Sequence, residues 1–205
     1  MNFTDYTSFL STLDSGSRSN EGPPPSSSWS ASSISSTSSG LAIISGSIAR
    51  PGAGYSSGYW GTEYGADCIT AWTVTTSGDI EIEHRGKDFS GSLWDAVSLF
   101  YDSAALTLQA LITVNGGVTS TLATCAVTIS SGMDIGFITY GASICAATFT
   151  GGTWTTRFTV VDSTLSNSGA LGLWLNGTTP QINNFRAGNI TASTARAGML
   201  TMGVG

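Results

Sequence analysis

The sequence predicts an all-β protein, an antiparallel β-sandwich with an arm at each end, and three observations carry that prediction. From Leu41 almost to the C-terminus, short stretches rich in Val, Ile, Thr, Phe, Tyr and Trp recur, each closed by Gly, Asn or Ser. No helical run of comparable strength interrupts them. The length, 205 residues, suits one substantial core, since sandwiches of this size are normally single domains.

Taken in order, Phe3, Tyr6, Leu10 and Leu13 fall at helical spacing, so residues 1–14 read as a short amphipathic helix or arm that needs a partner surface. Residues 15–40 are rich in Ser and Pro: Pro23-Pro24-Pro25 precedes ten serines in the fourteen positions from Ser26 to Ser39. Such composition alone reads as linker. Trp29 and Ile34 inside it argue instead for an irregular first strand with wide loops. The body of the sandwich closes residues 15–190. Its clearest strands are Ala66 to Val74, Ile80 to Arg85, Leu106 to Val114 and Thr155 to Val161, alternating or β-branched and bounded by turn residues. Asn115-Gly116-Gly117 reads as a hairpin turn. Residues 191–205, small and Gly-punctuated with Met199, Leu200 and Met202, read as an arm that finishes on a neighbour.

Only 10% of the residues are charged, against about 25% in an ordinary soluble domain. Between Asp102 and Asp134 there is no charge at all. This suits a protein packed in an assembly or working outside a cell. The net charge of −6 and the absence of any Lys/Arg cluster exclude a phosphate-tracking surface, hence a nucleic-acid partner. Cys68, Cys125 and Cys145 show no metal-type spacing and are read as buried, reduced thiols acting as small hydrophobes. The N-terminus lacks the basic and apolar regions of a signal peptide, and no run is apolar enough to span a bilayer. Synthesis in the cytoplasm, with export only as part of something larger, is the expectation.

The stretch Arg18-Ser19-Asn20-Glu21-Gly22-Pro23-Pro24, followed by Trp29, resembles the opening of concanavalin A-like lectin/glucanase domains of phage and bacterial proteins. Ile80-Glu81-Ile82-Glu83-His84-Arg85 is similar to their strand ending in Arg. Ser168-Gly169-Ala170-Leu171-Gly172-Leu173-Trp174, followed by Ile182-Asn183-Asn184-Phe185-Arg186-Ala187, resembles their closing pair of strands, the last returning beside the N-terminal one. The resemblance spans Leu13 to Ile190 and implies a jelly-roll-like pair of antiparallel sheets, one concave. It does not imply one activity.

Glu81 and Glu83 share a strand face at a separation that retaining glycoside hydrolysis, with its two carboxylates about 5 to 5.5 Å apart, would make worth testing. The glucanases of this fold carry Glu-x-Asp-x-x-Glu, whereas this chain has Glu83 where Asp belongs and Gly86 where the second Glu belongs. The two glutamates are therefore read as solvent-facing carboxylates and no catalytic residue is assigned. His84, the sole histidine, is read as a surface strand residue, and no Gly-x-Ser-x-Gly elbow accompanies it. No metal-ligand motif and no cofactor cradle is present.

Tyr55, Tyr59, Trp60 and Tyr64 crowd a Gly/Ser-rich stretch; they read as core filling, with a glycan-binding edge as the alternative. Trp94, isolated in a loop, is the other candidate for sugar stacking. The functional expectation is a non-enzymatic structural protein of a tailed-bacteriophage virion, on the outside of capsid or tail, made in the host cytoplasm. Its expected partners are other virion proteins, copies of itself and a neutral host glycan. The assembly contacts would come from Phe3, Tyr6, Leu10 and Leu13 at one end and Met199, Leu200 and Met202 at the other. The alternative is a secreted or surface carbohydrate-active enzyme or lectin of the same fold.

Overall fold

A computed structural model describes residues 1–31, 39–51, 54–89, 93–177 and 179–191. The strands begin with β1 (Ser11–Asp14), which lies in the segment read from sequence as an arm, β2 (Trp29–Ala31), β3 (Ser39–Gly40), β4 (Ala42–Ile44), β5 (Ser47–Ala49), β6 (Ser56–Trp60), β7 (Cys68–Thr76) and β8 (Asp79–Lys87). They continue with β9 (Asp95–Asp102), β10 (Thr107–Val114), β11 (Gly117–Ala126), β12 (Asp134–Tyr140), β13 (Ser143–Thr150), β14 (Thr153–Val161), β15 (Ala170–Asn176) and β16 (Gln181–Asn189). They form two eight-stranded sheets. Sheet A runs β14-β13-β12-β7-β16-β5-β4 with β1 also on β16; sheet B runs β11-β10-β9-β8-β15-β6-β2 with β3 also on β6. Every pairing is antiparallel except β3 with β6. The last strand does return beside the N-terminal one, Ser11 opposite Ala187. The Asn115-Gly116 turn closes β10 onto β11, both residues taking positive φ, as a two-residue hairpin of this hand requires.

Between the sheets lies one core. Period-two alternation turns Ile80 and Ile82 of β8, Val97, Leu99 and Tyr101 of β9, and Leu171, Leu173 and Leu175 of β15 inward, against Trp72, Val74, Ile135, Phe137 and Phe185 of sheet A. His84 joins them. It is fully buried, not on the surface, with Nε2 2.8 Å from the Thr70 hydroxyl and Nδ1 3.2 Å from that of Thr139. Its parity on β8 matches that of Ile80 and Ile82, which sends it inward; burial, and then the nearby Arg85 charge, push its pKa well down, so it sits there neutral.

Sheet A carries a second apolar layer outside the sandwich. Ile69, Ala71, Ile138, Cys145 and Ala147 face away from sheet B and are buried all the same. What covers them is the N-terminus, a 3-10 helix over Phe3–Phe9 rather than an α-helix. The Phe3 ring lies on Gly136, where a Cβ would intrude into it, and packs 4.3 Å from Trp154 between centroids. Tyr6 lies 5.8 Å from Tyr140, Leu10 belongs to the same cluster, and Leu13 packs against the main core. The partner surface expected for this arm is thus the chain's own sandwich, which corrects the assignment of Phe3, Tyr6, Leu10 and Leu13 to contacts with a neighbouring protein. Met199, Leu200, Met202 and Ile34 lie outside the described residues.

Two polar staples account for motifs that resemble the lectin family. Asp14 is buried and accepts from Gly16 N, from Trp29 Nε1 at 2.9 Å and from both terminal nitrogens of Arg18, whose Nε donates to Glu21 at 2.8 Å. Arg85, also buried, donates to the carbonyls of Ala66, Leu165 and Gly141 at 2.6 to 2.8 Å, tying three loops together. These residues hold the fold: Arg18 meets four protein oxygens and Arg85 three, which commits both cations to structure. The three cysteines are free thiols; Cys68 and Cys145 are buried, as expected, while Cys125 on the edge strand β11 is partly exposed.

Candidate functional site

Among the described residues, the outer face of sheet B has no covering layer of the kind that closes sheet A. Opposite in parity to the inward leucines and isoleucines, it collects Asp79, Glu81 and Glu83 from β8, Ser98 and Phe100 from β9, and Gly172, Trp174 and Asn176 from β15. The register sets Trp174 and Phe100 on either side of Glu81, and Gly172 and Ser98 on either side of Glu83.

Above this row three rings line up. Trp174 stacks on Trp94 at 5.7 Å and 28°, and lies 5.7 Å from Tyr55, whose ring is tilted by 59°. Trp94 Nε1 donates to Glu83 Oε1 at 3.0 Å. A hollow of about 190 Å³ opens beside the rings, lined by Tyr55, Asp79, Glu81, Phe100, Trp174 and Asn176. A second hollow of about 430 Å³ lies toward the other end of β8, between Tyr59, Trp60, Gly86, Lys87 and Phe89.

The glutamates are not the solvent-facing pair expected from the alternation. Glu83 is 1% exposed, lying against Gly172, where a Cβ would collide with its carboxyl group, and roofed by Trp94. Burial pushes the Glu81 carboxyl up to about 7, with the Ser98 hydroxyl acting in the opposite sense. Burial, and next the neighbouring Glu81 charge, hold Glu83 well above the usual carboxylate range. Both shifts favour the protonated carboxyl, a hydrogen-bond donor as well as acceptor. Glu83 Oε2 and Trp174 Nε1 are buried without a protein hydrogen-bond partner, and both belong to this small area. Unpaired buried polar atoms are costly, and their concentration marks a place shaped by something other than stability. Among the described residues no group of three His, Cys, Asp or Glu side chains gathers to hold a metal ion.

The aromatic candidates divide accordingly. Tyr55 and Trp94 belong to the ring row, and Tyr59 lines the second hollow, stacked on Phe89 at 5.6 Å. Trp60 does both jobs: it packs edge-on against the buried Trp29 and lines the second hollow. Tyr64 leans on the core beside a backbone bridge to Gly169. Missing from the sequence reading as site residues were Trp174, Phe100 and Phe89. Trp174 was legible, because Leu171, Leu173 and Leu175 set the inward parity of β15 and leave Trp174 on the other face.

No protein-family model and no curated protein matches this sequence. Solved structures do match in shape. The chain is similar to the carbohydrate binding module CBM66 from Bacillus subtilis, with a TM-score of 0.62 at 14% identity over 79% of this chain and 96% of that one. A Bacillus subtilis protein of unknown function with a galectin-like fold gives 0.59 at 12% identity, over 87% and 98% of the two chains. The exoplasmic/lumenal domain of VIP36, in a form bound to Ca2+ and Man2, gives 0.65 at 10% identity, over 91% of each chain. At such identities the likeness concerns architecture, and the architecture is the concanavalin A-like jelly roll.

Proposed function

We propose that the chain is a non-enzymatic glycan-binding protein that holds a neutral sugar on the outer face of sheet B, stacked on Trp174 and Tyr55 beside Glu81. The observation that carries this reading is the coincidence of stacked rings with orphaned polar atoms, Glu83 Oε2 and Trp174 Nε1. Apolar sugar faces stack on rings, and sugar hydroxyls both donate and accept, which matches a protonated carboxyl beside a hydroxyl and an indole N–H. The hollow beside Glu81, about 190 Å³, is smaller than the roughly 300 Å³ at which ordinary ligand pockets begin, so it takes a single ring. Similarity to a carbohydrate binding module and to a mannose-bound lumenal domain agrees with the same use of the fold.

The non-catalytic part of the reading rests on the departure from the glucanase pattern. A retaining hydrolase needs one ionised nucleophile and one acid facing the same bond; this chain has Glu83 where the Asp of that pattern belongs and Gly86 where its second Glu belongs. The charge-poor composition fits a place on the outside of a tailed-phage particle, where the protein would contact capsid or tail proteins. The test is calorimetric titration with neutral host-envelope polysaccharide at low and high salt, with product analysis of the same mixtures. Salt-insensitive binding without cleavage is expected. Sugar release abolished by Glu81→Gln would instead make the protein a hydrolase, and mass spectrometry of purified particles checks the location.

A further inference from the structure

We infer that the ligand is an extended chain of several sugar residues lying along β15, with the hollow at Tyr59 and Phe89 as a second subsite. This rests on the glycan reading above and extends it. The two hollows open on the same outer face and are bordered by the same three strands, β6, β15 and β8: Tyr55, Trp174 and Glu81 at one, Tyr59, Ala170 and Gly86 at the other. From Tyr55 to Tyr59, and from Trp174 to Ala170, is four residues, or about 13 Å of extended strand. One ring cannot occupy both, whereas a linear oligosaccharide running with the strands can.

Each hollow is built in the same manner, an aromatic wall beside hydrogen-bonding groups. At the second, Tyr59 and Phe89 stack at 5.6 Å and 28°, and Lys87 and Glu63 supply the polar rim. Phe89 stands there because two glycines make room: a Cβ at Gly86 would enter its ring, and one at Gly172 would sit 2.9 Å from its Cζ. At about 430 Å³ this hollow lies within the usual range for ligand pockets and is more than twice the size of the first. Between them Trp94 donates to Glu83 and Phe89 lies against Gly172, so that aromatic rings flank the stretch of sheet from one hollow to the other.

The experiment is calorimetry of the full chain with linear glucose and mannose oligomers of one to eight units. The affinity should rise at least tenfold between the shortest oligomer that binds and the length that reaches both hollows, then level off. Tyr59→Ala should abolish that rise and leave the shortest binder unchanged. Ala170→Trp, which fills the second hollow from the sheet surface, should do the same, and it keeps the test intact if Tyr59→Ala unfolds. Affinity independent of length, or long oligomers insensitive to both substitutions, would overturn the two-hollow ligand while leaving single-site sugar binding in place. If no oligomer of any length binds, the glycan reading itself fails and the second subsite with it.

Discussion

The two outer faces of this sandwich are treated in opposite ways. On sheet A, Ile69, Ala71, Ile138, Cys145 and Ala147 are sealed by the chain's own first ten residues, with Phe3 seated on Gly136. On sheet B, the corresponding positions hold Glu81, Glu83, Ser98, Phe100 and Trp174, and the row of rings flanks open hollows. One face gains stability by excluding water from aliphatic groups. The other keeps polar atoms buried without partners, which lowers stability and is tolerated where a ligand can complete the hydrogen bonds. On the function proposed above, the same scaffold separates folding from recognition onto the outer faces of its two sheets.

Substitutions can break this contrast. The largest expected effect is on the sealed face: Phe3→Ala removes a fully buried ring and should cost about 3 to 5 kcal/mol in urea unfolding, with sugar affinity of the folded protein unchanged. A loss below about 1 kcal/mol would mean that the N-terminal segment is not part of the fold's foundation. Next comes Trp174→Ala on the open face. Here affinity should fall at least tenfold, about 1.4 kcal/mol, and stability should fall by less than for Phe3→Ala; the reverse ranking would make Trp174 a packing residue.

A third expectation uses pH. Glu81, raised to about 7, and Glu83, which burial holds well above the usual carboxylate range, bind protons more tightly in the folded state than in the unfolded one. Stability from such groups is complete below the unfolded value near 4.5 and is lost as pH rises through the folded one. Buried His84 acts with the opposite sign: its folded pKa is depressed, so it withdraws stability as pH falls below about 6.5. The two effects oppose each other below that point, and only the glutamates act above it. The melting temperature should drop between pH 6.5 and 8.5 in the wild type and stay nearly level in the Glu81→Gln, Glu83→Gln double variant. Equal slopes would show that the pair is ionised in the folded protein. The smallest effect belongs to neither face: Val161→Thr, at a position 76% exposed on the edge strand β14, should change stability by under about 0.5 kcal/mol.

Much of this was legible in the residues themselves. Alternation such as Ile80-Glu81-Ile82-Glu83 and turn residues such as Asn115-Gly116 are local signals, and they place strands and hairpins because a strand's two faces and a tight turn's positive φ are local properties. Even the second layer on sheet A left a trace: β7, β12 and β13 carry apolar residues at both parities, as in Cys68-Ile69-Thr70-Ala71-Trp72, where a sheet wet on one side would alternate with polar ones. What the one-dimensional pattern could not hold was which surface meets which. Phe3 and Gly136 are 133 positions apart, and only the folded chain lays one on the other. Trp94 reaches Glu83 over a β-bulge and a loop, and Trp174 reaches Glu81 across a strand pairing formed late in the chain. Alternation alone therefore sent Glu83 to solvent, whereas those contacts bury it. Sequence determines the faces that strands present; desolvation, and with it the protonation of Glu81 and Glu83, is set by neighbours that only tertiary packing brings together.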